Sequence, residues 1–526
     1  MPPPNPDQVP FIDSLPGLIQ SPRNVHVWRR VHVFVLLVLI VPWVMPFAGN
    51  PSPSVWPWLT SAFSVGLLLL LMACVGPAAL TAEMVRRGWV VAATLSAVVG
   101  AVQYAGLSEH FTPWMNLTRP GEAFGNLRQR NHFASLMGIG LVALIWHPRQ
   151  SAGSYLPALL TLLALGNAAS SSRTGALQWL AILLVAMVYS SRGRRGVGQT
   201  ALLAFGVYLL WALVLPWLLV LLTGVHTSGL VARFEETPGC GSRLVLWSNV
   251  LTLIGEKPWF GWGWGELDHA HYMTLYPGQR FCDILDNAHN LPLHLAVELG
   301  IPVAVLILGS AGWLVLRARP WCETAPTRQM AWGVLALILL HSLLEYPLWY
   351  GPFQMAVGLC VYLLWTTRER DDPAGTPLAV LGTGRAKINY LLAATAALMM
   401  AVAAYAAWDY HRVSQIYRVP AQRDAAYREN TLEKIRDTFL FRHQFNFAAL
   451  SLTPLTPQNA LQIHTLSSEL LHYSPEPRVI EKVIESAVML RRDDEALLHL
   501  ARYRAAFPEN HAQWRRGLSL PNGLAP

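Results

Sequence analysis

The sequence predicts an all-α polytopic membrane protein of about 11 transmembrane helices, each near the ~17–25 apolar residues that cross a bilayer, followed by a smaller helical domain. Three observations carry this. Of 526 residues, 53% are hydrophobic and 13% charged, where a soluble domain has about 25% charged, and mean hydropathy is +0.34. The apolar residues fall into long separate runs. The arginines between those runs alternate in the manner of the positive-inside rule.

Residues 1–30 are proline-rich and polar and read as a cytoplasmic segment. No cleavable signal peptide is evident, and Val31 opens a span long enough to serve as an uncleaved anchor. Spans are expected at roughly 31–47, 55–74, 88–107, 131–147, 154–170, 175–190, 200–223, 291–316, 329–345, 351–367 and 388–408. Together, residues 31–409 form the transmembrane domain, with a long external loop at 224–290. With the N-terminus inside, Arg23, Arg29 and Arg30 are cytoplasmic. So are Arg86 and Arg87, Arg149, the group Arg192, Arg194 and Arg195, then Arg317, Arg319 and Arg328, and finally Arg368, Arg370, Arg385 and Lys387. The opposite loops 48–54 and 346–350 hold no Lys or Arg. Lys/Arg bias of this kind orients a membrane protein N-in and C-out.

Residues 410–526 are different material, holding 27 of the 70 charged residues, which marks a domain outside the membrane. Val479, Ile480, Val483, Ile484 and Val488 recur at helical spacing, and Pro475, Pro477 and Pro508 punctuate helix ends. The run Ser474–Trp514 has the form of a TPR-like helical hairpin, whose one apolar face needs a partner from 421–470 or from the membrane domain. The scattered basic residues exclude a nucleic-acid patch, and the five cysteines show no metal spacing.

Against the arginine trend, Arg119, Arg128, Arg130, Arg173, Arg233, Arg243 and Arg280 fall on the outer side. An anionic ligand there is one reason for them. Five polar clusters share that side: Gly125–Ala134 (GNLRQRNHFA), Ser172–Gly175 (SRTG), Gly241–Trp247 (GSRLVLW) with Pro258–Gly265 (PWFGWGWG), Asp286–Gly300 (DNAHNLPLHLAVELG), and His341–Tyr350 (HSLLEYPLWY). Glu298 lies within a predicted span, where an unpaired carboxylate is costly, so it is expected to be paired or functional.

In these motifs the chain resembles the bacterial PglL-type protein O-oligosaccharyltransferases, the pilin glycosylation ligases grouped with O-antigen ligases (WaaL) and Wzy polymerases. SRTG, PxxGxGxG and the His-Asn…Glu-x-Gly pattern resemble the whole superfamily. The GNLxQxNH segment and His341-x3-Glu345-Tyr346-Pro-Leu resemble its protein-glycosylating branch. The likeness covers about residues 30–370. It implies a GT-C-like fold in the bacterial inner membrane, with the active site and the helical tail periplasmic. It also implies en bloc transfer of a preassembled glycan from undecaprenyl diphosphate to Ser or Thr of a periplasmic acceptor such as a type IV pilin. No cofactor is expected, and the partners are the lipid-linked donor, the acceptor protein and membrane lipids, with no nucleic acid. Ligation onto lipid A core and Wzy-type polymerisation keep the chemistry and change the acceptor. A transporter of the lipid-linked glycan is the rival of another class, although polar motifs crowding one face fit it poorly.

The residues suit this chemistry on their own terms. A departing diphosphate needs permanent positive charge in a fork that matches its oxygens, which assigns Arg173 and Arg243, with Arg128 or Arg130 as weaker candidates. An acceptor hydroxyl needs a base, worth about 10²–10⁴-fold, and His289 is the candidate because histidine ordinarily titrates near neutrality. Direct attack by the hydroxyl inverts the anomeric carbon. No Asp-x-Asp pair points to a metal, and Glu266, Asp283 and Asp286 have no diagnostic spacing. Glu298 and Glu345 are read as orienting groups, one of them paired with an arginine. His341 and Tyr346 line the same cavity, Asn290 flanks the base, and Gln129, Asn131 and His132 bind glycan or diphosphate. Capping by Asn131 is the plain alternative, and His294 is a packing residue. The Trp-Gly repeats either stack on sugars or form a tight turn. In an oxidising compartment Cys240 and Cys282 can close the long loop as a disulfide.

Overall fold

The computed structural model describes residues 22–47, 51–52, 54–146, 155–191, 195–226, 239–367 and 382–519. The orienting arginines Arg149, Arg192, Arg194, Arg368 and Arg370, and the outer Arg233, lie outside the described residues. Everything regular in the described residues is helical.

The first seven long helices are α1 (Pro22–Val44), α2 (Val55–Val75), α3 (Ala82–Tyr104), α4 (Arg130–Ile145), α5 (Leu156–Ala169), α6 (Arg173–Ser191) and α7 (Arg195–Thr223). Helix α4 carries no charge after its first residue and is buried from His132 to Ile145. It forms the axis of the bundle, packed against α3, α5 and α6. Small residues allow this approach: a Cβ on Gly140 would sit 2.5 Å from Ala93 Cβ. Helix α7 shows the opposite pattern, with Leu213, Trp217, Leu221 and Leu222 exposed, as expected of a helix facing lipid.

Two helices of the long connection follow, α8 (Arg243–Glu256) and α9 (Leu267–Met273). They enclose a small core of Leu246, Val250, Leu253, Leu267, Phe281 and Leu285. The chain then returns through α10 (Leu291–Leu299), α11 (Ile301–Ala318), α12 (Pro326–Ser342), α13 (Gly351–Thr366) and α14 (Gly382–Ser414). The expected single span 291–316 is in fact two helices broken at Gly300, whose φ is +85°. A Cβ there would lie 2.2 Å from the Trp259 carbonyl oxygen, and one on Gly261 would lie 2.3 Å from that of Glu298. Only glycine admits this crossing of backbones.

Among the described residues, six helical segments are long and apolar enough to cross a membrane: 55–75, 77–104, 173–191, 196–223, 301–322 and 386–417. Shorter apolar helices occur at 130–145, 156–169 and 351–366. The tail then adds α15 (Arg442–Leu452), α16 (Ala460–Leu471), α17 (Pro477–Met489), α18 (Asp493–Ala506) and α19 (Pro508–Ser519). Where α14 hands over to the tail, Asp409 is wholly buried and accepts from Thr438 Oγ1 and the backbone N–H groups of Phe439 and Leu440. The apolar face of α17 (Val479, Ile480, Val483, Ile484) packs on Phe447, Leu450, Ile463 and Leu470, and Tyr272 of the long loop joins this core.

Candidate active site at the end of the helical bundle

The site begins with local signals. Gln129 accepts from the His132 N–H at 2.7 Å and so caps α4; the cap is Gln129, not Asn131. That frees the Asn131 side chain to reach outward from the first turn. Ser172 accepts from the Gly175 N–H at 2.9 Å at the start of α6. The glycine of this turn is required by packing, since a Cβ would lie 2.4 Å from Asn167 Oδ1. Ser242 caps α8 through the Val245 N–H at 3.3 Å, which sets Arg243 at the first helical position. Just before it, Cys240 is bonded to Cys282, with Cα atoms 5.4 Å apart. His289 sits at φ +49°, its N–H given to Asn287 Oδ1 at 2.9 Å. Trp247 Nε1 donates to the Ala288 carbonyl at 3.1 Å and ties α8 to this turn.

These separate starts converge on one carboxylate. Glu345 lies in the connection after α12, with only 7% of its side chain exposed. Its Oε1 accepts from Asn131 Nδ2 at 3.0 Å and from Arg243 Nη2. Its Oε2 meets His289 Nδ1 at 2.7 Å. Asn131 in turn accepts from Ser172 Oγ at 2.6 Å. All five motifs are thereby joined through hydrogen bonds, and Arg173 is the next residue after Ser172. Burial alone would raise the Glu345 carboxyl, but the hydrogen bonds and charges of His289 and Arg243 outweigh it and hold it below the usual range. An ionised carboxylate only accepts, so it fixes the His289 hydrogen on Nδ1 and leaves Nε2 as the basic nitrogen of the neutral ring.

Tyr346 stands edge-on to His289, ring centroids 4.8 Å apart. Asn290 is occupied structurally: its Oδ1 caps α10 through the Leu293 N–H at 3.1 Å, and its Nδ2 donates to the Leu343 carbonyl. Arg173 and Arg128 are exposed, and Arg128 holds φ +61°. Arg130 forms an ion pair with Glu122 at 2.9 Å.

The remaining predicted residues lie deeper or elsewhere. His341 is fully buried and contacts Ser135 Oγ at 2.8 Å; Ser135 also donates to Gln178. His132 packs edge-on to His341 and Tyr350, at 5.3 and 3.9 Å. Of the two glutamates, Glu345 has the arginine. Glu298 is 2% exposed and faces His294 Nε2 at 3.4 Å, inside the α10 helix. Its carbonyl accepts from the Gly263 N–H at 3.0 Å, and that of Val297 from the Trp262 N–H at 2.9 Å. The glycine-rich run and the Glu-x-Gly motif are thus two halves of one backbone clamp. Ser135 and Gln178 are absent from the sequence candidates, because their only signal is a polar side chain in an apolar helix.

Three segments of the chain match known protein families. Residues 123–146 match the protein glycosylation ligase family. Residues 157–308 match the O-antigen ligase family, and 329–518 match the C-terminal part of virulence factor membrane-bound polymerases. In these segments the chain is similar to the O-antigen ligase and protein glycosylation ligase families. A general O-oligosaccharyltransferase of Acinetobacter baylyi is 24% identical over 376 residues, 67% of this chain and 64% of that protein. A ComP-specific O-oligosaccharyltransferase of the same organism is 25% identical over 252 residues, 46% of this chain and 44% of that protein. The matched region therefore spans less than two thirds of either relative. Of these models, the protein glycosylation ligase match contains Arg128 to His132, the O-antigen ligase match contains Arg173, Arg243 and His289, and the polymerase match contains Glu345.

Proposed function

We propose that this protein is a PglL-type O-oligosaccharyltransferase of the inner membrane, moving a preassembled glycan from a polyprenyl diphosphate to a hydroxyl of a periplasmic protein. The observation that carries this is the meeting of Asn131, Arg243 and His289 on the Glu345 carboxylate. His289 Nε2 takes the proton of an acceptor serine or threonine. The oxygen attacks the anomeric carbon from the face opposite the leaving group, the carbon–oxygen bond to the diphosphate breaks, and the configuration inverts. Arg173 and Arg243 neutralise the charge growing on the diphosphate, in an environment where preplaced donors count most. Glu345 is a positioning residue in this scheme: it holds the imidazole tautomer and the guanidinium together.

A pilin-like acceptor rests on the resemblance of the GNLxQxNH and His341-x3-Glu345-Tyr346 motifs to the protein-glycosylating branch. The polymerase match over residues 329–518 favours a second reading, in which the acceptor is the end of another lipid-linked glycan. Reconstituting the purified protein with a defined polyprenyl-diphosphate glycan separates them, offering purified pilin, lipid A core or further donor as acceptor. Glycosylated pilin is expected. Glycan on lipid A core alone, or chain extension alone, would overturn the choice of acceptor; movement of intact donor across vesicles without transfer would overturn the enzyme.

A further inference from the structure

A second cluster of ligating side chains lies apart from Glu345, where the long loop meets the tail. Glu266 stands immediately before α9, His269 lies in its first turn, and His472 follows the last residue of α16. His472 Nδ1 is 2.7 Å from Glu266 Oε2, and His269 Nδ1 is 3.6 Å from the same oxygen. The three ligand atoms all lie within 4.8 Å of one another, and the two imidazole rings stack at 3.8 Å.

We propose that Glu266, His269 and His472 bind a divalent transition-metal cation of the zinc class, which clasps the helical tail to the long loop. The donor set is two imidazoles and one carboxylate, a combination that zinc takes with water in the fourth position. Ligands about 2.0–2.2 Å from zinc in a tetrahedron stand about 3.3 Å apart. The two measured separations of 2.7 and 3.6 Å bracket that spacing, so small side-chain rotations suffice. Two ligands come from one turn of chain and the third lies 206 residues away from Glu266, which is why no sequence spacing announces the site. The donors are reachable, since the His472 side chain is 52% exposed.

The surroundings fit a clasp. Next to the cluster, Tyr272 hydroxyl and His499 Nδ1 are 3.1 Å apart, and Arg502 Nε donates to the Met273 carbonyl at 2.8 Å. A metal here tightens an interface that is already formed between α9 and the tail. Lys257 is the neighbouring cation, and it lies over the Trp262 ring at 3.8 Å. On binding, His472 ligates through Nδ1 and its ring hydrogen moves to Nε2. Nothing in the transfer chemistry uses this ion.

The test uses full-length protein in detergent, freed of any affinity tag and stripped with a chelator. Zinc is then titrated, and bound metal is measured by mass spectrometry. One zinc per chain is expected, with a higher Tm in zinc than in magnesium. Cobalt in its place should give the visible bands of a four-coordinate nitrogen and oxygen site. H472Q and E266Q should each weaken zinc by more than the roughly 10–100-fold lost on changing outer-shell groups, while H110Q, on an exposed histidine, should leave it unchanged. Stripped wild-type protein that takes up no zinc, or takes it up as well in H472Q and E266Q as in wild type, would overturn the site. Because binding is read without glycan transfer, its failure is distinct from a failure of the proposed activity.

Discussion

At the scale of residues, Glu345 is the group on which Asn131, Arg243 and His289 meet. Removing one member of a buried charged pair leaves the others uncompensated, which costs about 3–5 kcal/mol in dry sites; Arg243, 35% exposed in its side chain, keeps the loss below that. Glu345→Gln retains shape but loses the charge that fixes the His289 tautomer. We expect kcat to fall by about 10²-fold or more, the scale of general base catalysis, with donor KM changed much less and with partial recovery in Glu345→Asp. Steady-state kinetics on reconstituted protein check this; a rise in donor KM alone would assign Glu345 to donor binding. The candidates themselves were legible from the sequence because histidine, arginine and carboxylate on one membrane face are conspicuous. Their geometry was not. The partners of Glu345 lie 56, 102 and 214 residues away, and no periodicity connects them. Asn290 was legible as polar, yet a cap and a binding group look alike in a sequence.

At the scale of elements, the long loop is positioned from both ends. The Cys240–Cys282 disulfide spans 42 residues, and closing a loop of that length contributes about 4 kcal/mol in the chain-entropy view. Reduction, or the double serine variant, should lower Tm and impair transfer, because Arg243 follows Cys240 by three residues; nanoscale thermal denaturation with and without reductant reads it. The tail's hold on α9 should also depend on pH. Burial is the main cause that pushes His499 down to about 4; Arg502 and His464 add to the fall and Glu495 opposes it. A histidine neutral in the fold but near its usual value when unfolded makes the unfolded state bind more protons on acidification. Stability is therefore full above the ordinary histidine value and is lost progressively as pH falls toward about 4. His499→Asn should flatten that slope in a Tm series from pH 7 to 5. The helices were legible from apolar runs and capping residues. The break at Gly300 was not, because a continuous apolar run gives the same signal whether one helix or two carry it.

At the scale of the whole molecule, a bundle end, a stapled loop and a helical tail are packed into one assembly through Tyr272, His499 and Arg502. Removing residues 410–526 should expose the Tyr272 contact and harm transfer to protein more than hydrolysis of the donor. Equal losses would make the tail a purely structural part. The inside-outside assignment rests on arginine distribution, and the six long apolar helices among the described residues agree with a membrane protein. The role of His289 as the base is read from glycan transfer by purified His289→Ala protein, with a polyprenyl-diphosphate glycan and pilin as substrates. Transfer should fall by about 10²-fold or more in a protein of unchanged Tm; transfer at the wild-type rate would contradict a catalytic role for His289.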